Sequence, residues 1–229
     1  MKNRKKIVVA IDGPAASGKS TTAKLVARNL GYLHLDTGAM YRAITLRVLE
    51  EKVPVEAEQR IREIAEQSSI RLESVNGTQR VYLNDRDVTQ KIRTPNVTRT
   101  VSTVSSYQAV RDVLVREQRR IAADGGVVLE GRDIGTVVLP DAELKIFMVA
   151  NVAERARRRK KDLTLAGIDM DESELVKDII ERDKKDSTRA ASPLKKAEDA
   201  VELDTSNMTV EQQVDFIVQR AKEILKRSS

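Results

Sequence analysis

The run Gly13-Pro14-Ala15-Ala16-Ser17-Gly18-Lys19-Ser20 spells G-x-x-x-x-G-K-[ST] without a mismatch. Its chemistry is the holding of a nucleoside triphosphate. Small residues let consecutive backbone N–H groups turn toward phosphate oxygens where a helix begins. Lys19 brings a positive charge for the β- and γ-phosphates, and the Ser20 hydroxyl is a candidate ligand for Mg2+. Gly13, Pro14, Ala15, Ala16, Ser17, Gly18, Lys19, Ser20 and Thr21 are therefore the candidate ATP-binding residues, with Lys19 also a candidate catalytic cation.

A bound triphosphate loses its γ-phosphate either to water or to a second substrate. A guanine-reading N-K-x-D would point to a GTPase, and the sequence has none. An acceptor that is itself a phosphate adds negative charge and calls for several separate arginine clamps. Candidates are Arg42, Arg132, Arg155, Arg158, Arg159, Arg182 and Arg189. Arg182, Asp186 and Arg189 fall at i, i+4 and i+7, so a helix continuing through them would carry them on one face. Such a face has two readings. A carboxylate that accepts from an exocyclic amine, beside an arginine that donates to a ring nitrogen or carbonyl, complements the edge of cytosine; an ordinary intrahelical salt-bridge ladder has the same spacing.

These residues need elements to hold them. Ile7 to Ile11 is a continuous apolar run suited to a strand buried on both faces, and Gly18 to Leu30 suits the helix after it. Tyr32 to Leu35 predicts a second strand and Gly38 to Lys52 a second helix. From Val53 to about Val97 the pattern changes: a short charged helix over Glu56 to Gln67, then Ile70 to Glu73 and Val81 to Leu83 flanking Asn76-Gly77, a hairpin signal. Tyr107 to Asp124 predicts a long amphipathic helix closed by Gly125-Gly126. Val127 to Leu129 and Leu144 to Val149 predict two core strands. Asn151 to Lys161 and Asp171 to Asp186 predict charged helices, separated by a flexible Leu163 to Gly167. Ala200 to Leu203 predicts a last strand, and Thr209 a cap for a helix ending at Lys226. Alternating strands and helices imply an α/β fold with a parallel sheet.

Composition narrows the partners. The 229 residues carry 41 Lys+Arg against 35 Asp+Glu, a formal charge of +6, with one histidine, His34, and no cysteine. Thiolate metal sites, disulfides and cysteine nucleophiles are excluded, and a lone histidine cannot build H-E-x-x-H. Four Tyr, two Phe and no Trp are too few for a base-stacking surface, so nucleic acid is not the expected partner. The basic start, Met1 to Lys6, is followed by an apolar run that Asp12 interrupts too early for a signal peptide, and no apolar stretch is long enough to span a membrane. A monomer in the cytoplasm, acting on small anionic ligands, is the expectation.

The phosphate loop, Leu35-Asp36-Thr37-Gly38-Ala39-Met40-Tyr41-Arg42, Gly131-Arg132-Asp133-Ile134-Gly135-Thr136-Val137-Val138, Glu154-Arg155-Ala156 with Arg158-Arg159, and Arg182-Asp183 with Asp186, Arg189 and Ser192-Pro193-Leu194 together resemble the bacterial cytidylate kinase family over essentially the whole chain. The resemblance implies a P-loop kinase with Mg2+ that moves the ATP γ-phosphate to CMP or dCMP. It implies a core over 1–36 and 98–229, a mobile lid over about 157–190, and an inserted monophosphate-binding subdomain over 37–97 with a small antiparallel sheet. It assigns Thr37, Tyr41 and Arg42 to the acceptor's phosphate end, and Ser102 and Arg111 to cytosine. It gives Arg132, flanked by Gly131 and Asp133, to the α-phosphate, Arg155, Arg158 and Arg159 to the catalytic lid, and Arg182, Asp186 and Arg189 to lid and pyrimidine contacts. Glu130 stands where the family commonly has Asp. Alternatives are a P-loop kinase preferring UMP or AMP and, in another class, a nucleotide-dependent regulatory or binding protein.

Overall fold

The computed structural model describes residues 6–75, 78–165 and 167–227. The chain forms two compact units, one of residues 1–34 and 124–229 and one of residues 35–123.

The first unit is built on a parallel sheet. β1 (Val8–Asp12) pairs with β6 (Val127–Gly131) from Val8 opposite Val127 to Asp12 opposite Gly131, and on its other edge with β7 (Leu144–Val149). β7 pairs in turn with β8 (Val201–Asp204), and β2 (Leu33–Asp36) lies beyond β6, giving the order β2-β6-β1-β7-β8. β1 sits at the centre, which is why its sequence is apolar rather than alternating. α1 (Lys19–Leu30) and α8 (Val210–Arg227) pack their apolar stripes, Ala23, Val26 and Ala27 with Val214, Ile217, Val218 and Ala221, into one core with Val9, Ile11, Ile146 and Met148. Thr209 caps α8 as expected: its Oγ accepts from Gln212 N at 3.3 Å, and Gln212 Oε1 accepts from Thr209 N at 2.9 Å. α6 (Val152–Leu165) and α7 (Glu172–Thr188) share a small core of their own around Ala156, Leu175 and Ile179.

The second unit contains α2 (Thr37–Glu50), α3 (Glu58–Glu66), α4 (Pro95–Val104) and α5 (Gln108–Ala122), with a three-stranded sheet of β3 (Ile70–Val75), β4 (Thr78–Leu83) and β5 (Arg86–Asp87). β3 and β4 are antiparallel, as the hairpin signal required; the turn residues Asn76 and Gly77 lie outside the described residues. Ala39, Ala43 and Leu46 of α2 meet Val81 and Leu83 of β4 in the core.

Two expectations need correction. The segment from Leu163 is not a flexible spacer at its start, because α6 runs on through Leu165, with Leu163 packed against the α6/α7 core; Ala166 lies outside the described residues. The helix carrying Arg182 and Asp186 stops at Thr188. Arg189 is its C-cap in extended conformation (φ −60, ψ 142), so the three residues do not share a helix face. A π-helical turn over Ile134–Val138, α4 and β5 are additional to the elements the sequence pattern predicted.

Candidate functional site

The phosphate loop begins where β1 ends. Gly13 has φ +150, and a Cβ built there falls 2.1 Å from the carbonyl oxygen of Met148 on the neighbouring strand, so no side chain fits. Ala16 is turned into the left-handed region (φ 59), and Gly18 (φ 95) is the N-cap of α1. No acidic residue stands in the first turn of α1, which leaves its positive end unopposed for an anion. Ser20 and Thr21 are exposed on that turn.

Lys19 is buried, with Nζ donating to Pro14 O at 2.6 Å and to Ser17 Oγ at 3.2 Å. Burial first, then the positive charge of Arg132, pushes its ammonium well below the usual lysine range, against the pull of Glu130 and Asp12. Such a cation gains most from a nearby phosphate. Asp12 is buried too, and its two carboxylate oxygens accept from Ile134 N and Gly135 N, both at 2.8 Å. Burial raises its pKa to about 6, although these two bonds and Lys19 favour the ion. The π-helical turn is thus pinned to the strand that launches the phosphate loop.

The arginines of α6 reach that loop directly. Arg158 donates to Ser17 O at 3.1 Å, to Thr205 Oγ at 3.1 Å and Thr205 O at 2.7 Å, and to Glu154 at 2.8 Å. Arg155 is buried, 3.3 Å from Ala15 O and paired with Asp183 at 2.6 Å. Arg159 is half-buried on the same helix. Arg132, just past β6, donates from Nε to Asp186 Oδ2 at 2.8 Å. Arg189, despite leaving the helix, lies 3.6 Å from Asp133 and donates to Ser192 O at 2.8 Å, while Arg182 acts electrostatically on both Asp186 and Lys19. Asp186 is therefore paired with an arginine distant in sequence, which the ladder reading did not anticipate.

Within the second unit, Asp36 caps α2 by accepting from Ala39 N at 3.0 Å and takes Arg42 Nη2 at 2.8 Å on its other oxygen. Thr37 and Tyr41 are buried on the helix so oriented. Arg111, 1% exposed, lies 5.5 Å from the centre of the Tyr41 ring and donates to Ser105 O at 3.4 Å. Ser105 Oγ donates to Ser102 O at 3.2 Å, so Tyr41, Arg111 and the turn after Ser102 form one group.

Sequence reasoning missed Glu154, Asp183 and Thr205, which hold Arg155 and Arg158. Glu154 was recoverable, since it stands three and four residues before Arg157 and Arg158 and pairs with both. Asp183 and Thr205 carry no such local signal.

No group of three or more His, Cys, Asp or Glu suited to a metal occurs among the described residues, and none of their helices is long and apolar enough to cross a membrane. The sequence matches the cytidylate kinase family model over residues 9–223. The chain belongs to the cytidylate kinase family. It is 51% identical over 214 residues to the cytidylate kinases of Bacillus thuringiensis (strain Al Hakam) and Bacillus cereus (strain B4264), a span covering 93% of this chain and 95% of each relative. Among solved structures, a shikimate kinase from Bacteroides thetaiotaomicron aligns with TM-score 0.49 and 14% identity over 96% of this chain and 98% of that one. A cytidylate kinase is a phosphotransferase, and membership in that family disfavours both the regulatory-protein alternative and the kinase preferring UMP or AMP.

Proposed function

We propose that this enzyme transfers the γ-phosphate of ATP in line to CMP and dCMP, through the residues singled out above. The observation that carries the reading is the attachment of Arg155 and Arg158 to the carbonyls of Ala15 and Ser17, which fixes two guanidinium groups at the phosphate loop. Transfer between two polyanions is limited by repulsion and positioning. Lys19, Arg155, Arg158 and Arg159 oppose the negative charge of the transferring group. Gly13 to Thr21 bind ATP. Thr37, Tyr41, Arg42, Ser102 and Arg111 bind CMP with Gly131, Arg132, Asp133, Arg182, Asp186 and Arg189. The attacking oxygen belongs to an ionised phosphate, so no general base is needed. The lid over about 157–190 excludes water when the substrates are in place.

Mg2+ belongs to the same reading. The donor set fits: a nucleotide-bound Mg2+ keeps phosphate and water ligands and asks little of the protein. Ser20 supplies a hydroxyl whose hydrogen goes to Glu130 at 2.6 Å, leaving its lone pairs for the cation. Mg2+ supplies charge neutralisation of the β- and γ-phosphates. The inserted acceptor subdomain over 37–97, a monomeric state and a cytoplasmic setting complete the proposal; the scarcity of aromatic residues supports small-molecule partners over nucleic acid.

A coupled ADP-release assay with CMP, dCMP, UMP and AMP tests it. Rapid release with CMP and dCMP, weak release with UMP and AMP, and loss by orders of magnitude in a folded Lys19→Ala variant are expected. Rapid ADP release without any acceptor, or full turnover by Lys19→Ala, would overturn it.

A further inference from the structure

Glu130 is a buried carboxylate gripped at both ends. Oε2 accepts from Ser20 Oγ at 2.6 Å, and Oε1 lies 3.0 Å from Nε2 of His34, the one histidine of the chain. The three residues stand on three elements of the first unit: Ser20 on the first turn of α1, His34 on β2 and Glu130 on β6. The mechanism above uses Ser20 and leaves His34 unemployed.

The geometry has a direction. A hydroxyl carries one hydrogen and two lone pairs, so when Ser20 gives its hydrogen to Glu130 its lone pairs point elsewhere. Where they point depends on where Oε2 is. A glutamate side chain turns about three bonds, and a second anchor on its other oxygen restrains it more than the rotatable hydroxyl does by itself. An imidazole has only two side-chain torsions. His34 is set on a strand next to that of Glu130, and its side chain is only 14% exposed. A carboxylate accepts, so Nε2 is the nitrogen that carries hydrogen and donates to Oε1.

We infer that His34 is a positioning residue for the cation: it holds Glu130, and Glu130 holds the Ser20 hydroxyl with its oxygen turned to the Mg2+ of the nucleotide. His34 touches neither metal nor nucleotide in this role. The inference rests on the Ser20 reading above. Hydrogen-bond partners behind a metal ligand typically change metal affinity by about 10- to 100-fold. Ser20 is one ligand among phosphates and waters, which places the expected effect near the lower end.

The test uses Mn2+ as a paramagnetic stand-in for Mg2+, titrated into the full-length protein with ATP and no acceptor, with electron paramagnetic resonance reading free Mn2+. Ser20→Ala and His34→Leu should each weaken Mn2+ binding about 10-fold, and the double variant no more than Ser20→Ala alone. His34→Gln, whose amide nitrogen takes the place of Nε2, should restore most of the affinity. Binding of ATP without metal, followed by calorimetry, should not change in either His34 variant. If His34→Leu fails to fold, His34→Asn, too short to reach Oε1, replaces it. Wild-type Mn2+ affinity in the His34 variant while Ser20→Ala is weakened overturns the inference, as does a double variant whose losses add. Wild-type affinity in Ser20→Ala overturns instead the reading on which it rests.

Discussion

Arg132 Nε and Asp186 Oδ2 meet at 2.8 Å, joining the end of β6 to the last turns of α7. Burial alone would push the Asp186 carboxyl up, but the charge and hydrogen bond of Arg132, then Arg182 and Arg189, outweigh it and hold the group below its ordinary range. Asp186 therefore stays an ionised acceptor at neutral pH.

In the proposed base-reading role such an acceptor would suit the N4 amine of cytosine and repel the O4 of uracil, so that selectivity would rest partly on repulsion. Asp186→Asn should narrow the CMP-over-UMP preference by about 1–3 kcal/mol, the worth of a specific base contact. The measurement is kcat/KM for both nucleotides at fixed ATP and Mg2+. An unchanged ratio would return Asp186 to a purely structural pairing with Arg132.

Arg158 is expected to act on both stability and rate. Its guanidinium ties Glu154, the Ser17 carbonyl and Thr205 together. Arg158→Ala should cost about 1–3 kcal/mol, since hydrogen bonds to charged groups contribute more than neutral ones. Urea midpoints report this. Turnover should fall further than ATP affinity, because the charge matters most to the reacting complex. Unchanged turnover with a large loss of ATP affinity would place Arg158 in ground-state binding.

The third expectation concerns pH. Asp12 has its folded-state pKa raised from 3.8 to about 6 by burial, so the folded protein binds its proton more tightly than the unfolded chain does. The resulting stability is fully present below pH 3.8 and is lost as pH rises through about 6. The stability of wild type relative to Asp12→Ala should therefore shrink between about pH 4 and pH 7, by up to about 3 kcal/mol. Chemical denaturation of both proteins across that range measures it; a difference that grows with pH would show that the two backbone bonds, not burial, dominate.

What the sequence made legible was local. The strand, loop and helix around Lys19 follow from an apolar run, glycines and a helical pattern contiguous in the chain. The same is true of Thr209 and its helix. α4 has its signal in the sequence as well, with Pro95 after Thr94 and Val97, Val101 and Val104 at helical spacing, although it is not among the elements predicted above. Other features had no local signal. Ile134 to Val138 is an apolar run that suits a strand, and it is a π-helical turn whose first two N–H groups bond to Asp12. The choice of Arg132 as the partner of Asp186, and of Tyr41 as the neighbour of Arg111, is made by tertiary packing between segments that no spacing rule connects.

The central place of β1 bears on how the chain acquires its shape. β1 leaves the ribosome before either strand that flanks it, so Val8 finds its partner only when Val127 has been made, and Val9 waits for Leu144 on the other edge. All of residues 35–123, which close a core among themselves, are synthesised in that interval. Until then Val8 to Ile11 is an apolar segment with two unpaired edges, and its eventual pairings span long stretches of chain, which slows folding. The strand that launches the phosphate loop thus exists before either of its neighbours, and a newly made chain carries it unpaired, an apolar edge open to wrong contacts, while residues 35–123 are synthesised.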